Sequence, residues 1–341
     1  MQSPLVLVVL AIVGSVAAWK GGEWLVDATD SLGDYYGIPS IIQGAVIAAV
    51  GSSFPEFAST ILAASRGQFE LGVGAVVGSA VFNILVIPAV SALAGGGSLA
   101  SDRDLVYKEA QFYLLALSVI LLTFALASLY QPINGLDGDA IVGGRITPPL
   151  VLPALGLYGL YIFVQWADAA EYPRPAIHTS HPLREWATLV VSLAVITVGA
   201  EALVRSAIGF GELFGTPSFL WGLTVVAAGT SVPDTFVSVT AARRGNAALS
   251  LANVMGSNIF ALLIALPAGV LVAGSVTIVF ADAVFMLGYL VLASVAFFVI
   301  IRTDMELSRR EAHVMIALYG VFVLWIVAES VGLAPLPPGL F

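Results

Sequence analysis

Charged side chains and cysteine are what this sequence has little of. Of its 341 residues, 10% are charged and none is cysteine, while 59% are hydrophobic and the mean hydropathy is +0.99. Soluble domains carry about a quarter charged residues, so this chain cannot cover a surface that faces water. The composition therefore indicates an integral membrane protein. The absence of cysteine also excludes disulfides and metals bound by thiolates.

Basic residues are scarce as well. The chain has 13 Lys and Arg against 22 Asp and Glu, a net charge of -9. A phosphate backbone requires a basic face, so nucleic acid is excluded as a partner. Some of the acids lie in the stretches DATDSLGDYY and NGLDGDA, which we interpret as loops. Such loops either concentrate cations near a pore mouth or simply stay hydrated. The lipid bilayer is the expected partner, and nothing indicates an obligatory protein partner.

Apolar segments long enough to cross a membrane follow one another along the whole chain. They predict ten transmembrane helices, at 3–27, 38–65, 71–95, 106–129, 147–168, 186–212, 217–243, 248–273, 277–301 and 310–331. A polar stretch separates five of these spans from the other five. The predicted units are therefore a first five-helix repeat at 1–167, a cytosolic linker at 168–185 and a second five-helix repeat at 186–341.

The basic residues predict how the spans are oriented. If the N-terminus lies outside, only Arg66, Arg145 and Arg205 fall outside with it. The other ten fall inside: Lys20, Arg103, Lys108, Arg174, Arg184, Arg243, Arg244, Arg302, Arg309 and Arg310. Loops on the cytoplasmic side carry an excess of Lys and Arg, so this orientation is the favoured one. We expect a multi-pass protein of a prokaryotic cell membrane with both termini outside.

The two sets of five spans repeat each other in sequence. Residues 178 positions apart match without a gap over about sixty positions: Glu23 with Glu201, Gly37 with Gly215, Pro39 with Pro217, Gly51 with Gly229, Ser53 with Ser231, Pro55 with Pro233, Arg66 with Arg244, Gly78 with Gly256, Ser79 with Ser257 and Phe82 with Phe260. Because five is odd, the second set crosses the membrane in the opposite sense. Inverted repeats with matching interrupted spans are typical of secondary transporters, whose sites lie near the midplane.

The stretches GSSFPEF at 51–57 and GTSVPDT at 229–235 interrupt two apolar runs in the same way. Each proline removes a backbone donor and pushes away the carbonyl four residues earlier, which a bound cation can then satisfy. A carboxylate at membrane depth is costly and rarely idle. Glu56 and Asp234 are therefore predicted to be functional. Glu23 and Glu201 lie nearer helix ends, where a structural or vestibule role and a role in ion access both stay open.

Neutral oxygen donors accompany the two acids. They are Ser52, Ser53, Ser79, Asn83, Thr230, Ser231, Ser257 and Asn258. A single hydroxyl in a membrane helix usually bonds to its own backbone, so the prediction depends on the cluster and not on any one member. A site made only of oxygen suits calcium and sodium, and it disfavours zinc and copper.

The motifs GSSFPE with GSAVFN, and GTSVPD with GSNIF, resemble the alpha repeats of the cation/calcium exchanger superfamily, in particular its sodium/calcium exchanger branches. The resemblance implies an all-α membrane protein with ten transmembrane helices in two inverted five-helix repeats. It also implies exchange of calcium for sodium by alternating access, with Glu56 and Asp234 as the central carboxylates. The remaining ligands that it implies are Ser52, Ser53, Ser79, Thr230, Ser231, Ser257, the bordering Asn83 and the backbone carbonyls of Ala49 and Ala227.

Ala261 is the departure from this pattern, because potassium-dependent members carry an acid there. We therefore expect transport without a potassium requirement. A proton/calcium antiporter is the alternative, although hydroxyl ligands favour sodium over protons. An inverted repeat argues against a channel. No nucleophile with a base and no cofactor motif is found, so we expect no enzyme and no cofactor, only the transported ions as ligands.

Overall fold

A computed structural model describes residues 3–36, 49–101, 103–134, 141–170, 182–216 and 218–330. Helices fill most of it. Those of the first half are α1 (Pro4–Tyr36), α2 (Ala49–Ser52), α3 (Phe54–Ser65), α4 (Phe69–Leu85), α5 (Ile87–Ala94), α6 (Arg103–Tyr130) and α7 (Pro148–Ala170). Those of the second half are α8 (Pro182–Phe214), α9 (Ser218–Trp221), π1 (Gly222–Val226), α10 (Ala227–Thr230), α11 (Val232–Arg243), α12 (Ala247–Phe260), π2 (Ala261–Ala265), α13 (Leu266–Ala273), α14 (Phe280–Arg302) and α15 (Arg309–Ser330), where π1 and π2 are π-helical turns.

The described helices confirm a mostly helical membrane protein. Eight of them are long and apolar enough to cross a bilayer, and a ninth candidate is the pair Gly222–Thr230 and Val232–Arg243, bent by 46°. The predicted span 38–65 is the one that is missing from this set. Its first part lies outside the described residues, and its remainder forms α2 and α3. The count of ten spans therefore stays a prediction.

Five short strands were not predicted. They are β1 (Ser98–Ala100), β2 (Pro132–Asn134), β3 (Ile141–Ile146), β4 (Val276–Val279) and β5 (Glu306–Ser308). Strand β1 pairs with β5, and a second antiparallel sheet has the order β2-β3-β4. These strands connect helix ends, where β-branched residues can extend beyond the helix and pair with a neighbouring connection. As a result, the predicted span 277–301 begins in a strand.

The boundaries of two predicted polar segments also differ from the structure. The stretch DATDSLGDYY, expected to be a loop, continues α1 as far as Tyr36. Most of the expected linker, residues 171–181, lies outside the described residues, as does most of NGLDGDA. Helix propensity explains the first difference, since this stretch contains one glycine and no proline to end the helix.

Helices α1 and α8 pack against each other in antiparallel fashion through small residues. A Cβ added to Gly21 would lie 3.1 Å from the Ser192 carbonyl oxygen, and one added to Gly199 would lie 2.8 Å from the Gly14 carbonyl oxygen. The two contacts are equivalent in the repeat, because Gly21 corresponds to Gly199 and Gly14 corresponds to Ser192, each pair 178 residues apart. Glycine thus lets the two backbones approach at both points.

The most enclosed spans are the ones that follow the broken helices. In Phe69–Ala94 and in Ala247–Ala273, 83% of the most apolar window is buried, against 28% for Pro4–Leu25. The outer helices expose large apolar side chains, for example Leu5, Leu129, Leu183, Val198 and Leu324. This apolar exterior fits lipid, and it leaves the enclosed centre for polar residues.

Candidate cation site

Two helices break at matching serines in the centre of the molecule. Ser53 separates α2 from α3, and Ser231 separates α10 from α11. Pro55 and Pro233 each occupy the first turn of the helix that follows the break, where a missing N–H costs nothing. A serine followed two positions later by a proline therefore marks both breaks.

The acids Glu56 and Asp234 lie in the first turns of α3 and α11. Both side chains are completely buried. The N-terminal end of a helix stabilises negative charge, so each break supports its own carboxylate. The ends of α2 and α10 present carbonyl oxygens to the same region, which favours positive charge there.

Among the described residues, hydrogen-bond donors reach only one of the two Glu56 oxygens. Ser79 Oγ donates to Glu56 Oε1 at 3.1 Å, and Ser231 Oγ lies 3.4 Å from the same oxygen. Ser231 Oγ also lies 3.0 Å from Ser79 Oγ. These bonds connect α3 of the first half to α11 of the second half through α4.

Asp234 is held by an equivalent serine and by an amide. Ser257 Oγ donates to Asp234 Oδ1 at 2.9 Å, and Asn83 Nδ2 donates to Asp234 Oδ2 at 3.1 Å. The Asn83 amide also donates to Asn258 Oδ1 at 3.1 Å, and Asn258 Nδ2 donates to the Ala80 carbonyl at 3.1 Å. Helix α4 thus contacts both carboxylates, one from Ser79 and the other from Asn83 one turn later.

Three buried oxygens of this cluster have no hydrogen-bond donor among the described residues. They are Ser53 Oγ, Glu56 Oε2 and Asn83 Oδ1. Buried polar atoms are normally satisfied, and a cation satisfies several oxygens at once. Within the described ranges, no third acid or histidine joins Glu56 and Asp234 in a metal-binding cluster. The site therefore combines two carboxylates with neutral oxygens.

The remaining predicted ligands are close to the site but already have partners. Thr230 Oγ1 donates to the carbonyls of its own helix, at 3.0 Å to Val226 and 3.3 Å to Ala227. The Ala49 and Ala227 carbonyls accept from Ser53 N and Ser231 N, both at 3.0 Å. Ser52 Oγ also donates to the Ala49 carbonyl at 3.4 Å, so each of the two carbonyls accepts two hydrogen bonds, and a cation bound there would replace the longer, hydroxyl bond.

Asn253 is a site residue that the sequence reasoning missed. Its Oδ1 accepts from Ser52 Oγ at 3.3 Å, and its Nδ2 donates to Ser238 Oγ at 3.0 Å and lies 3.4 Å from the Asp234 carbonyl. Because Asn253 Oδ1 accepts the hydrogen bond from Ser52 Oγ, the lone pairs of that hydroxyl stay available. The matching position in the first half is Ala75, so a search for repeated residues could not find it.

Ala261 is buried and begins the turn π2. The match between the halves changes at this point: Pro88 corresponds to Pro267 and Gly95 to Gly274, an offset of 179 instead of 178. A π-turn accommodates one extra residue, and such turns are frequent at functional sites. Between Phe260 and Pro267 the second half is therefore one residue longer than the first half between Phe82 and Pro88.

Glu23 and Glu201 do not belong to this cluster. Glu23 Oε2 accepts from Lys20 Nζ at 2.8 Å. Glu201 Oε1 accepts from Arg66 Nη2 and from Arg205 Nε. Arg66 and Arg205, which the charge count places on the same side of the membrane, thus meet at one carboxylate.

The family model of the sodium/calcium exchanger protein matches residues 6–167 and 184–328. These segments include both broken helices and every residue of the cluster above. The chain belongs to this family. As an exchanger of this family, it is a multi-pass membrane protein that transports cations by antiport.

Relatives support this membership along most of the chain. A protein of Alkalimonas amylolytica described as a candidate antiporter, CaxA, is 30% identical over 280 residues, covering 80% of this chain and 82% of its own. The sodium/calcium exchanger MaX1 of Methanosarcina acetivorans is 25% identical over 343 residues, covering 92% and 97%. A structure of the sodium-calcium exchanger NCX_Mj soaked with Na+ and Sr2+ has a TM-score of 0.65 at 21% identity and covers 94% of this chain and 99% of its own. That last similarity concerns the fold.

Proposed function

We propose that this exchanger moves calcium against sodium across the membrane by alternating access. The observation that carries the proposal is the buried pair Glu56 and Asp234, together with oxygens of Ser53, Glu56 and Asn83 that have no hydrogen-bond donor among the described residues. Two carboxylates balance one divalent cation. Neutral hydroxyl and amide oxygens then serve sodium ions when calcium leaves.

The ligands we assign are the eleven predicted positions, and Asn253 positions one of them. The carboxylates bind calcium, together with the hydroxyls of Ser79 and Ser257 that already contact them. The hydroxyls of Ser52, Ser53, Thr230 and Ser231 and the carbonyls of Ala49 and Ala227 complete the sodium positions. Asn83 borders both. Calcium and sodium are substrates here, and no other cofactor is required.

The proposal includes ten spans in two inverted halves, with both termini outside. Support comes from the antiparallel packing of α1 and α8, whose closest contacts recur at the offset of 178 residues. It also comes from the paired bonds of Ser79 and Ser257 to the two acids. Such symmetry suits a transporter in which one half rocks against the other.

A proton/calcium antiporter is the second candidate, because two carboxylates can also carry two protons. The bond from Asn83 Nδ2 to Asp234 Oδ2 argues against it. An amide donor stabilises the ionised carboxylate, whereas a proton carrier must accept a proton at one of its oxygens.

The test uses purified protein in proteoliposomes loaded with sodium and diluted into radioactive calcium. The external medium contains sodium, potassium or choline, at equal internal and external pH. Calcium uptake that requires an outward sodium gradient supports the proposal. Uptake that follows only a pH gradient would establish the proton antiporter instead.

A further inference from the structure

Arg66 and Glu201 connect two elements that otherwise only pack side by side. Arg66 follows the C-terminal end of α3, and its guanidinium binds the Glu201 carboxylate on α8. The side chains are 30% and 25% exposed, so the pair lies at the edge of the packed region. Helix α8 packs closely along α3 on this side of the broken helices. The ion pair therefore joins the C-terminal end of α3 to α8 at this edge.

The same charges are present at the opposite end without the same contact. The matching residues of Arg66 and Glu201 are Arg244 and Glu23. Glu23 binds Lys20 on its own helix instead. Arg244 is exposed, and in the described part of the chain it has no ion-pair partner. Helix α1 also contacts α11 less extensively than α8 contacts α3.

Glu23 has a second acid one helical turn further along α1. The residue that matches Arg205 is Asp27, so the second basic partner of Glu201 is replaced by an acid. Partial burial, with the nearby carboxylates of Glu23 and Glu185, raises the pKa of Asp27. A cation placed between Glu23 and Asp27 would relieve this repulsion. Glu23 and Asp27 could therefore accept Arg244, a contact that is not among the ion pairs of the described residues.

We propose that Arg66 with Glu201 and Arg244 with Glu23 are two alternating latches, each closing one end of the exchanger. The inference rests on the proposed inverted repeat. In such a transporter the second conformation arises when the halves exchange their arrangements, so a contact between 66 and 201 becomes a contact between 244 and 23. Arg244 then leaves water and binds Glu23 and Asp27, while Arg66 releases Glu201.

The partial exposure of the first latch sets the size of its effect. Exposed ion pairs contribute little each, so one latch biases the two conformations by about two- to fivefold and does not lock either. This suits a device that must open and close in every cycle.

Cross-linking tests the inference directly, because the chain contains no cysteine of its own. The first double variant is Arg66→Cys with Glu201→Cys, and the second is Arg244→Cys with Glu23→Cys. We expect a short bifunctional methanethiosulfonate to link both pairs in membrane vesicles, to stop exchange in each case, and to be reversed by a reductant. The diagonal pair, Arg66→Cys with Glu23→Cys, is the control and should not link. A second pair that never links, in sodium or in calcium, while the first one does would overturn the proposal.

Single neutral variants provide an independent measurement. Arg66→Gln should favour opening at the Arg66 end and raise the apparent calcium affinity measured from that side by about two- to fivefold, whereas Arg244→Gln should act on the other side. Arg243→Gln, next to Arg244, serves as the matched control and should change neither. If Arg66→Gln and Arg244→Gln change the apparent calcium affinity on the same side, or if neither changes it, the proposal of two latches is wrong. Double variants that link as expected, together with a wild type that shows no sodium-dependent uptake, would instead contradict the proposed function alone.

Discussion

Glu56 and Asp234 each accept a hydrogen bond from a serine 23 residues further along the chain, Ser79 at 3.1 Å and Ser257 at 2.9 Å. The two bonds are equivalent in geometry although they belong to different halves. What surrounds them differs, because Asn83 binds the second carboxylate only. The site is therefore symmetric in its acids and asymmetric in its neutral ligands.

Neutralising either acid should stop calcium transport. In Glu56→Gln and Asp234→Asn, one of two charges that balance a desolvated calcium ion is lost, while the shape is kept. We expect exchange to fall by at least about 30-fold in each variant, the usual penalty for breaking a buried charge pair. Uptake into proteoliposomes measures this, and size-exclusion profiles control for folding. Exchange at wild-type rates in both variants would mean that the site lies elsewhere.

Sodium and calcium should compete for the site. The same carboxylates cannot fully serve both ions, so raising sodium should weaken the apparent calcium affinity. Equilibrium binding of radioactive calcium at several sodium concentrations checks this, with choline replacing sodium so that the ionic strength stays constant. A calcium affinity that is independent of sodium would place the two ions at separate sites.

Removing the Asn253 amide should weaken sodium binding more than calcium binding. In Asn253→Ala, Ser52 loses its bond to the amide oxygen and keeps a long bond to the Ala49 carbonyl, 3.4 Å, so the direction of its lone pairs is less well fixed. Loss of one hydrogen bond predicts an apparent sodium affinity lower by about two- to tenfold. The matched control is Asn246→Ala, which removes the N-cap of the same helix, where the side chain accepts from Leu249 N. That variant should lose stability without losing sodium affinity, and equal losses of affinity would reject the role of Asn253.

Transport should not require potassium, since Ala261 provides no side-chain oxygen. Ala261→Asp adds a third carboxylate one turn after Ser257. An extra charge in a dry site attracts a monovalent cation or takes up a proton. The variant should gain stimulation by potassium or sodium, or a steeper pH dependence near neutrality, measured as calcium uptake in potassium, sodium and choline media. A wild type that already needs potassium would contradict this prediction.

The contact between α1 and α8 should not tolerate a single methyl group. In Gly199→Ala, the new Cβ lies 2.8 Å from Gly14 O and from Ala18 N, both backbone atoms that cannot rotate away. Overpacking of this kind costs about 1–3 kcal/mol. Gly156→Ala is the control, because that position has open space around it. Thermal unfolding in detergent should show a lower Tm for the first variant only.

Most of the fold and the acids of the site could be predicted from the sequence, because hydropathy marks the spans and the repeat marks Glu56 and Asp234. The short strands could not, since Val276–Val279 is as apolar as the helix that follows it. Asn253 was not predicted because the corresponding residue of the first half is Ala75. An amide one turn before Ser257, in an otherwise apolar run, was nevertheless a usable signal.

The π-turn at Ala261–Ala265 was also present in the sequence, as the change from 178 to 179 between Pro88 and Pro267. The acids, prolines and glycines before that point all match at the offset of 178, so the change of offset was not noticed. Periodicity alone cannot show where a helix takes up an extra residue, because a π-turn keeps the apolar pattern on either side.

Because of that extra residue, the two halves of the exchanger differ in length within the matched region. If the halves exchange arrangements as proposed, the longer half would not reproduce the shape of the shorter one, and the two conformations would differ in free energy. In the proposed cycle, such a difference would populate one of the two conformations more than the other even when ion concentrations are equal on both sides. The extra residue in π2, a few positions after Ser257, is thus one source of that inequality.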